Sequence, residues 1–135
     1  MAMENKNVTN KAQAEPRKTI LVVEDNQIVS SLIKVVLEES YNIHITADGK
    51  EALDYLNQGN RPHLILLDVL MPIMNGGVFV RRVSSHPEFG KIPIIFITTI
   101  DSKRLMKDFD NMVVGYIVKP FEKEELINKV REVLK

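Results

Sequence analysis

The sequence contains no cysteine, which removes disulfide staples, thiolate metal ligands and a cysteine nucleophile together. Nothing in it requires an oxidising compartment. Net charge is lacking as well: 18 lysines and arginines balance 18 aspartates and glutamates, so no global field draws the chain to nucleic acid or to an anionic membrane. Recognition must be local. No run approaches the ~18 consecutive apolar residues of a membrane span, and Met1 to Arg17 has no continuous apolar stretch of the signal-peptide kind. The expected location is the cytoplasm, with neither membrane nor nucleic acid as partner. Internal repeats and low-complexity tracts are missing too, and 135 residues suit one ordinary domain with no room for a second, catalytic one.

What is present is enough apolar material, 44% of residues, to build a core, with a charged fraction of 27% that is ordinary for a globular protein. Residues 1–17 stand apart. They are rich in Asn, Lys, Gln and Ala, hold Val8 as their one branched aliphatic residue, and show no amphipathic period, so a flexible leader over 1–17 and a domain over 18–135 are expected. The Asn7-Val8-Thr9 sequon reads as chance, because the chain supplies no secretory context.

From Thr19 onward, short apolar runs alternate with segments of helical period. Ile20–Val23, Ile43–Ile45, Leu64–Leu67, Ile94–Ile97 and Tyr116–Val118 are the strand candidates. Three of these runs are almost wholly apolar, as strands covered on both faces must be. Between them, apolar pairs at Ile28/Val29, Leu32/Ile33 and Val36/Leu37 recur every fourth residue and draw a stripe along one helix. Ala52, Leu53 and Leu56 mark a second helix; Phe79, Val80 and Val83 a third. Leu105, Met106, Phe109 and Met112 predict a fourth, and Leu126, Ile127, Val130, Val133 and Leu134 a fifth. Alternating strands and helices of this kind form an α/β, doubly wound, five-stranded parallel sheet, whose ligand crevice lies outside the carboxyl ends of the strands.

The residues at those ends carry the chemistry. Glu24, Asp25 and Asn26 follow the first strand, Asp68 the third, Thr98 and Thr99 the fourth, Lys119 and Pro120 the fifth. Converging carboxylates repel one another unless a cation neutralises them, and an all-oxygen set with room for water suits Mg²⁺, with Mn²⁺ able to stand in. With the ion held by Glu24 or Asp25 and by Asp68, a free Asp68 oxygen could attack a phosphorus in line. Such a transfer needs positioning and charge stabilisation, which Mg²⁺, the Lys119 ammonium and the Thr98 hydroxyl could supply.

The segment Leu67-Asp68-Val69-Leu70-Met71-Pro72-Ile73-Met74-Asn75-Gly76 resembles the phosphorylation-site segment of response-regulator receiver domains from two-component signalling. Val23-Glu24-Asp25-Asn26 is similar to the acidic pair of that family, and Thr98, Tyr116 and Lys119-Pro120-Phe121 match its remaining signature over Lys18 to Lys135. The resemblance implies a flavodoxin-like strand order of 2-1-3-4-5. It implies Asp68 as phosphoacceptor, Glu24, Asp25 and Asp68 with the Val69 backbone carbonyl as the metal site, and Thr98 and Lys119 as ligands of the phosphoryl oxygens. Thr98 and Tyr116 would form a switch pair, and the Lys119-Pro120 bond would be cis. Leu70 and Ile100, two residues beyond the acceptor and two beyond Thr98, would tune dephosphorylation. The implied donor is a histidine kinase or a histidine phosphotransfer domain, and the implied output is a protein target on the face between the fourth and fifth helices. The chain would then work as a signalling switch or phosphorelay intermediate, not as an enzyme acting on other molecules.

The sequence departs from the family in three places. Thr99 stands where a very small residue is usual, the span from Thr98 to Lys119 is about one residue short, and Asn111-Met112-Val113-Val114-Gly115 replaces a Gly-Ala turn. Plainer readings exist for single residues: Asp25 as a helix cap, Thr98 as an ordinary strand residue, Tyr116 as strand packing. Met71, Met74, Met106 and Met112 read as core fillers, Arg81 and Arg82 as a solvated face, and His44, His63 and His86 lie too far apart for a metal site. Two other functions compete: an interaction module that needs no phosphorylation, and a flavodoxin-like cofactor binder. The second would need a phosphate-cradling loop after the first strand, where Glu24 and Asp25 would instead repel the phosphate.

Overall fold

The computed structural model describes residues 16–70 and 74–135. Most of the expected leader, and Met71, Pro72 and Ile73 of the acceptor segment, lie outside the described residues. Five strands, β1 (Thr19–Val23), β2 (Asn42–Thr46), β3 (Leu64–Asp68), β4 (Ile94–Thr98) and β5 (Gly115–Val118), form one parallel sheet in the order β2-β1-β3-β4-β5. That is the doubly wound arrangement expected. The helices are α1 (Gln27–Leu37), α2 (Gly49–Asn57), α3 (Gly76–Ser84), α4 (Ile100–Leu105) and α5 (Lys123–Leu134), with a 3₁₀ segment over Lys107–Met112.

Strand side chains alternate between two apolar layers, which is why the central runs are apolar without a polar beat. Leu21, Val23, Ile65, Leu67 and Phe96 face α2 and α3 and meet Ala52, Leu56, Phe79, Val80 and Val83. Ile20, Val22, Leu66, Ile95 and Ile97 face the other way, against Ile33 and Leu37 of α1 and Leu126 and Val130 of α5. Polar caps start the helices. Asn26 accepts from the amides of Ile28 and Val29, Asp48 from Glu51, Asn75 from Val78 and Thr99 from Ser102, each cap being worth ~1 kcal/mol. After α2 the chain reverses at Gly59, whose φ of 99° suits a residue without Cβ.

The fourth helix differs from expectation. One α-helix was predicted along Leu105, Met106, Phe109 and Met112, yet α4 stops at Leu105 and a 3₁₀ turn follows. The Met106 amide is shared between the Ser102 and Lys103 carbonyls, and the Phe109 amide bonds back three residues to Met106. Met106, Phe109 and Met112 are spaced by three, and in a 3₁₀ turn such residues stack on one side. Met106 and Phe109 take that side into the layer with α3, whereas Met112 is exposed.

Pro16 and Arg17, counted with the leader, are among the described residues. The Arg17 guanidinium donates to the Glu38 and Glu39 carbonyls and the Lys18 ammonium to the Leu134 carbonyl. Both cations meet the negative ends of helices, α1 and α5, at the edge of the sheet away from the crevice.

Candidate functional site

The carboxyl edge of the sheet gathers Glu24, Asp25, Asp68 and Lys119. Backbone pairing runs one residue past the strands and fixes two of them: the Glu24 amide donates to the Thr46 carbonyl at 3.0 Å, and the Lys119 amide to the Thr98 carbonyl at 2.7 Å. Asp68 and Thr98 are the final residues of β3 and β4, within the ladder rather than beyond it. Carboxylate oxygens of Glu24, Asp25 and Asp68 lie within 4.8 Å of one another, with Glu24 and Asp68 buried and Asp25 exposed. The α1 cap is Asn26, so Asp25 is not the capping residue.

Glu24 Oε2 accepts the Asn26 amide at 3.2 Å. Its other oxygen, Oε1, is buried without a hydrogen bond and has the Lys119 ammonium 3.2 Å away. The same ammonium stands 3.6 Å from Asp68 Oδ1, which also accepts the Leu70 amide at 3.2 Å. A buried carboxylate oxygen that lacks a hydrogen bond is costly even beside an ammonium, and oxygens arranged in this way suit a hard divalent cation. The residues therefore fit a Mg²⁺ site.

Burial first, and then contact with Asp68, push the Glu24 carboxyl from 4.5 up to about 7, against the smaller pull of the Asn26 amide and Lys119. Between these two values the folded protein holds a proton that the unfolded chain has released. Stability without metal should consequently fall as pH rises from 4.5 to about 7. Glu24→Gln removes this loss and should be more stable than wild type at neutral pH, with a flatter dependence on pH. Urea unfolding in a chelator across that window measures it; parallel curves for the two proteins would contradict the account.

The β3–α3 loop closes on itself through Gly76, whose amide donates to the Val69 carbonyl at 2.9 Å. A Cβ on Gly76 would sit 2.9 Å from Val69 Cα and 3.1 Å from its carbonyl oxygen, both backbone atoms. Only glycine allows α3 to start against the acceptor loop. Gly76→Ala should cost ~1–3 kcal/mol, the usual range for overpacking, although Ala is otherwise the better helix former. An unchanged urea midpoint would show that the loop yields freely.

Other candidate residues are placed less directly. The Thr98 hydroxyl is buried and donates to the Thr99 carbonyl at 3.1 Å, not to Asp68. Leu70 and Ile100 lie on the rim, 62% and 60% exposed. The Lys119-Pro120 bond is cis. Tyr116 is half-buried with its ring centroid 5.8 Å from that of Phe96, the Lys103 ammonium 5.1 Å above it, and its hydroxyl donating to Asp110. Burial and Asp110 push that phenol up to about 12. Asp110 was not singled out from the sequence; its partner lies across the chain reversal before β5, and no local pattern announces it.

Among the described residues no helix is long and apolar enough to cross a membrane. The chain matches the family described as "Response regulator receiver domain" over residues 20–131. It is 37% identical to the response regulator ArlR of Staphylococcus saprophyticus over 86% of its own length and 52% of that protein. It is 32% identical to the sensor histidine kinase TmoS of Ectopseudomonas mendocina over 89% of its length but 12% of the kinase. The chain thus spans about half or less of these curated relatives. Among solved structures, a putative response regulator from Chloroflexus aurantiacus superposes with a TM-score of 0.80 at 31% identity, covering 88% of this chain and 98% of that one. The chemotaxis response regulator CheY4 of Vibrio cholerae gives 0.80 at 30%, covering 87% and 99%. Sequence, strand order and acidic crevice agree, and the chain belongs to the response regulator receiver domain family of two-component signalling.

Proposed function

We propose that this receiver takes a phosphoryl group on Asp68 from the histidine of a kinase or of a histidine phosphotransfer domain. The observation that carries the reading is the buried Glu24 oxygen without a hydrogen bond, set beside Asp25, Asp68 and Lys119 in one crevice. Glu24, Asp25 and Asp68 would hold Mg²⁺ or Mn²⁺, and the Val69 carbonyl, which already accepts the Gly76 amide, would have only its second lone pair to offer the ion. Bound there, the ion would supply Lewis-acidic charge for the phosphoryl oxygens.

The chain's own groups do the rest. An Asp68 oxygen bonds to phosphorus while the phosphorus–nitrogen bond to the donor imidazole breaks, and the electron pair leaves with the ring nitrogen. Lys119 and Thr98 bind the oxygens on which charge gathers. Thr98 must turn from the Thr99 carbonyl to do so, and that movement gives Tyr116 room to repack and alters the face between α4 and α5 for a protein target. Tyr116 is tied to Asp110 at rest, so repacking the ring would break that bond. The protein would work in the cytoplasm as a switch or relay intermediate and catalyse only its own phosphorylation and dephosphorylation.

The experiment is incubation with acetyl phosphate and Mg²⁺, followed by mass spectrometry of the intact chain and of its peptides. One phosphoryl group on the Asp68 peptide is expected. No uptake would instead favour an interaction module of the same fold that works without phosphorylation.

A further inference from the structure

We propose that the groove between α3 and the 3₁₀ turn is a docking site for a protein partner, taking an acidic segment in which one apolar side chain sits among carboxylates. The groove has a volume of about 410 Å³ and is lined by Leu70, Asn75, Val78, Arg81, Met106 and Phe109 among others. None of Glu24, Asp25, Asp68 or Lys119 lines it, and its occupancy does not require a phosphoryl group on Asp68.

Two features select the occupant. The first is apolar surface left open: Leu70 and Val78 are 62% and 41% exposed, while Met106 and Phe109 reach the groove from the layer they share with α3. Such a surface suits one anchoring side chain. The second is a cation already in position. The Arg81 guanidinium is exposed and lies 5.0 Å from the centroid of the Phe109 ring, and no acid among the described residues pairs with it. A guanidinium resting on a ring keeps its N–H edge for a carboxylate. Having lost part of its freedom beforehand, it loses less on binding.

The charge around the groove has the same sign. Within residues 76–107 the cations Arg81, Arg82, Lys91, Lys103, Arg104 and Lys107 outnumber Glu88 and Asp101, whereas within residues 24–54 seven acids outnumber Lys34 and Lys50. The balanced chain is thus divided into a basic and an acidic sector. This division draws a short acidic segment toward α3 and α4 and turns it away from α1 and α2. A long polyanion such as nucleic acid would meet both sectors, and the Phe109 face on which a base could stack is covered by Arg81.

The test uses fluorescein-labelled synthetic peptides with Leu, Phe or Trp at the centre and Asp-Glu on either side, titrated with the full chain and read by anisotropy and by NMR of the Val78, Arg81 and Phe109 amides. The tightest of them should bind saturably, shift those amides, and lose at least ~tenfold in affinity when its acids become Asn and Gln or its central residue becomes Ser. Arg81→Glu, which reverses the cation of the groove, should weaken binding at least ~tenfold. So should Val78→Asp, which places a carboxylate on the apolar wall near the start of α3, where an acid suits the helix and the fold is kept. Arg82→Glu, next along α3 but not lining the groove, should change affinity less than ~threefold at physiological salt. Equal losses in Arg81→Glu and Arg82→Glu would reduce the effect to attraction by the basic sector and overturn the groove. Saturable binding by none of the acidic peptides, or tighter binding of a single-stranded oligonucleotide at the same amides, would overturn it as well. Each outcome is independent of whether Asp68 takes up phosphate.

Discussion

Asp68→Asn should take up no phosphoryl group from acetyl phosphate, and Asp25→Asn should react at least ~100-fold more slowly than wild type, the scale on which one preorganised electrostatic element acts in a transition state. The two losses have different causes. Asp68 is the proposed acceptor, and its amide replacement has no anionic oxygen to offer phosphorus. Asp25 is the exposed member of the three clustered acids, free of capping duty because Asn26 performs it. Removing its charge should leave the fold intact while weakening the hold on a divalent cation. Initial rates measured by mass spectrometry over a range of MgCl₂ concentrations separate the two. The Asp25→Asn deficit should shrink as Mg²⁺ is raised, whereas Asp68→Asn should stay inert. Wild-type rates in Asp25→Asn would remove that residue from the metal set, and uptake by Asp68→Asn would place the acceptor elsewhere.

Phospho-Asp68 should be long-lived, and polar residues at positions 70 and 100 should shorten its lifetime. Hydrolysis requires a water held in line with phosphorus. Leu70 and Ile100 stand at the rim with most of their surface in solvent, and neither side chain can donate or accept a hydrogen bond. The Leu70 amide is bonded to Asp68 itself, so its side chain starts from the immediate neighbourhood of the acceptor. A water that must enter past these groups loses orientation, and a loss of ~1.4 kcal/mol already slows the reaction tenfold. Leu70→Asn and Ile100→Glu should each accelerate decay about tenfold, and the pair up to ~100-fold where their effects are independent. The measurement is loss of phosphoprotein after removal of acetyl phosphate. Unchanged decay in both single variants would refute water exclusion as the cause.

Much of this was legible in the chain because burial imprints a local period. Strands covered on both sides read as unbroken apolar runs, and helices covered on one side read as stripes of period near four. Both periods placed β1, β3, β4, α1 and α5 correctly, although Ile28 and Leu32 of the α1 stripe are exposed while Ile33 and Leu37 are buried. The acids and the lysine were legible because each directly follows or ends such a run, and in a parallel sheet those ends share one edge. The strand order was not readable from periodicity, which records whether a residue is covered but not by which strand; it came from resemblance.

The Leu105–Met112 stripe shows the limit from the other side. Apolar residues three apart satisfy an α-helix and a 3₁₀ turn alike, and packing of Met106 and Phe109 onto the α3 layer decided for the tighter turn. Only tertiary structure could set Asp110 against the Tyr116 hydroxyl, or bring Glu24, Asp25 and Asp68 to one crevice with Lys119. The same holds for Glu24. Sequence determined that a carboxylate stands at the end of β1; the sheet and Lys119 determined that one of its oxygens is buried without a hydrogen bond, because desolvation and ion pairing depend on neighbours that the chain brings together only on folding.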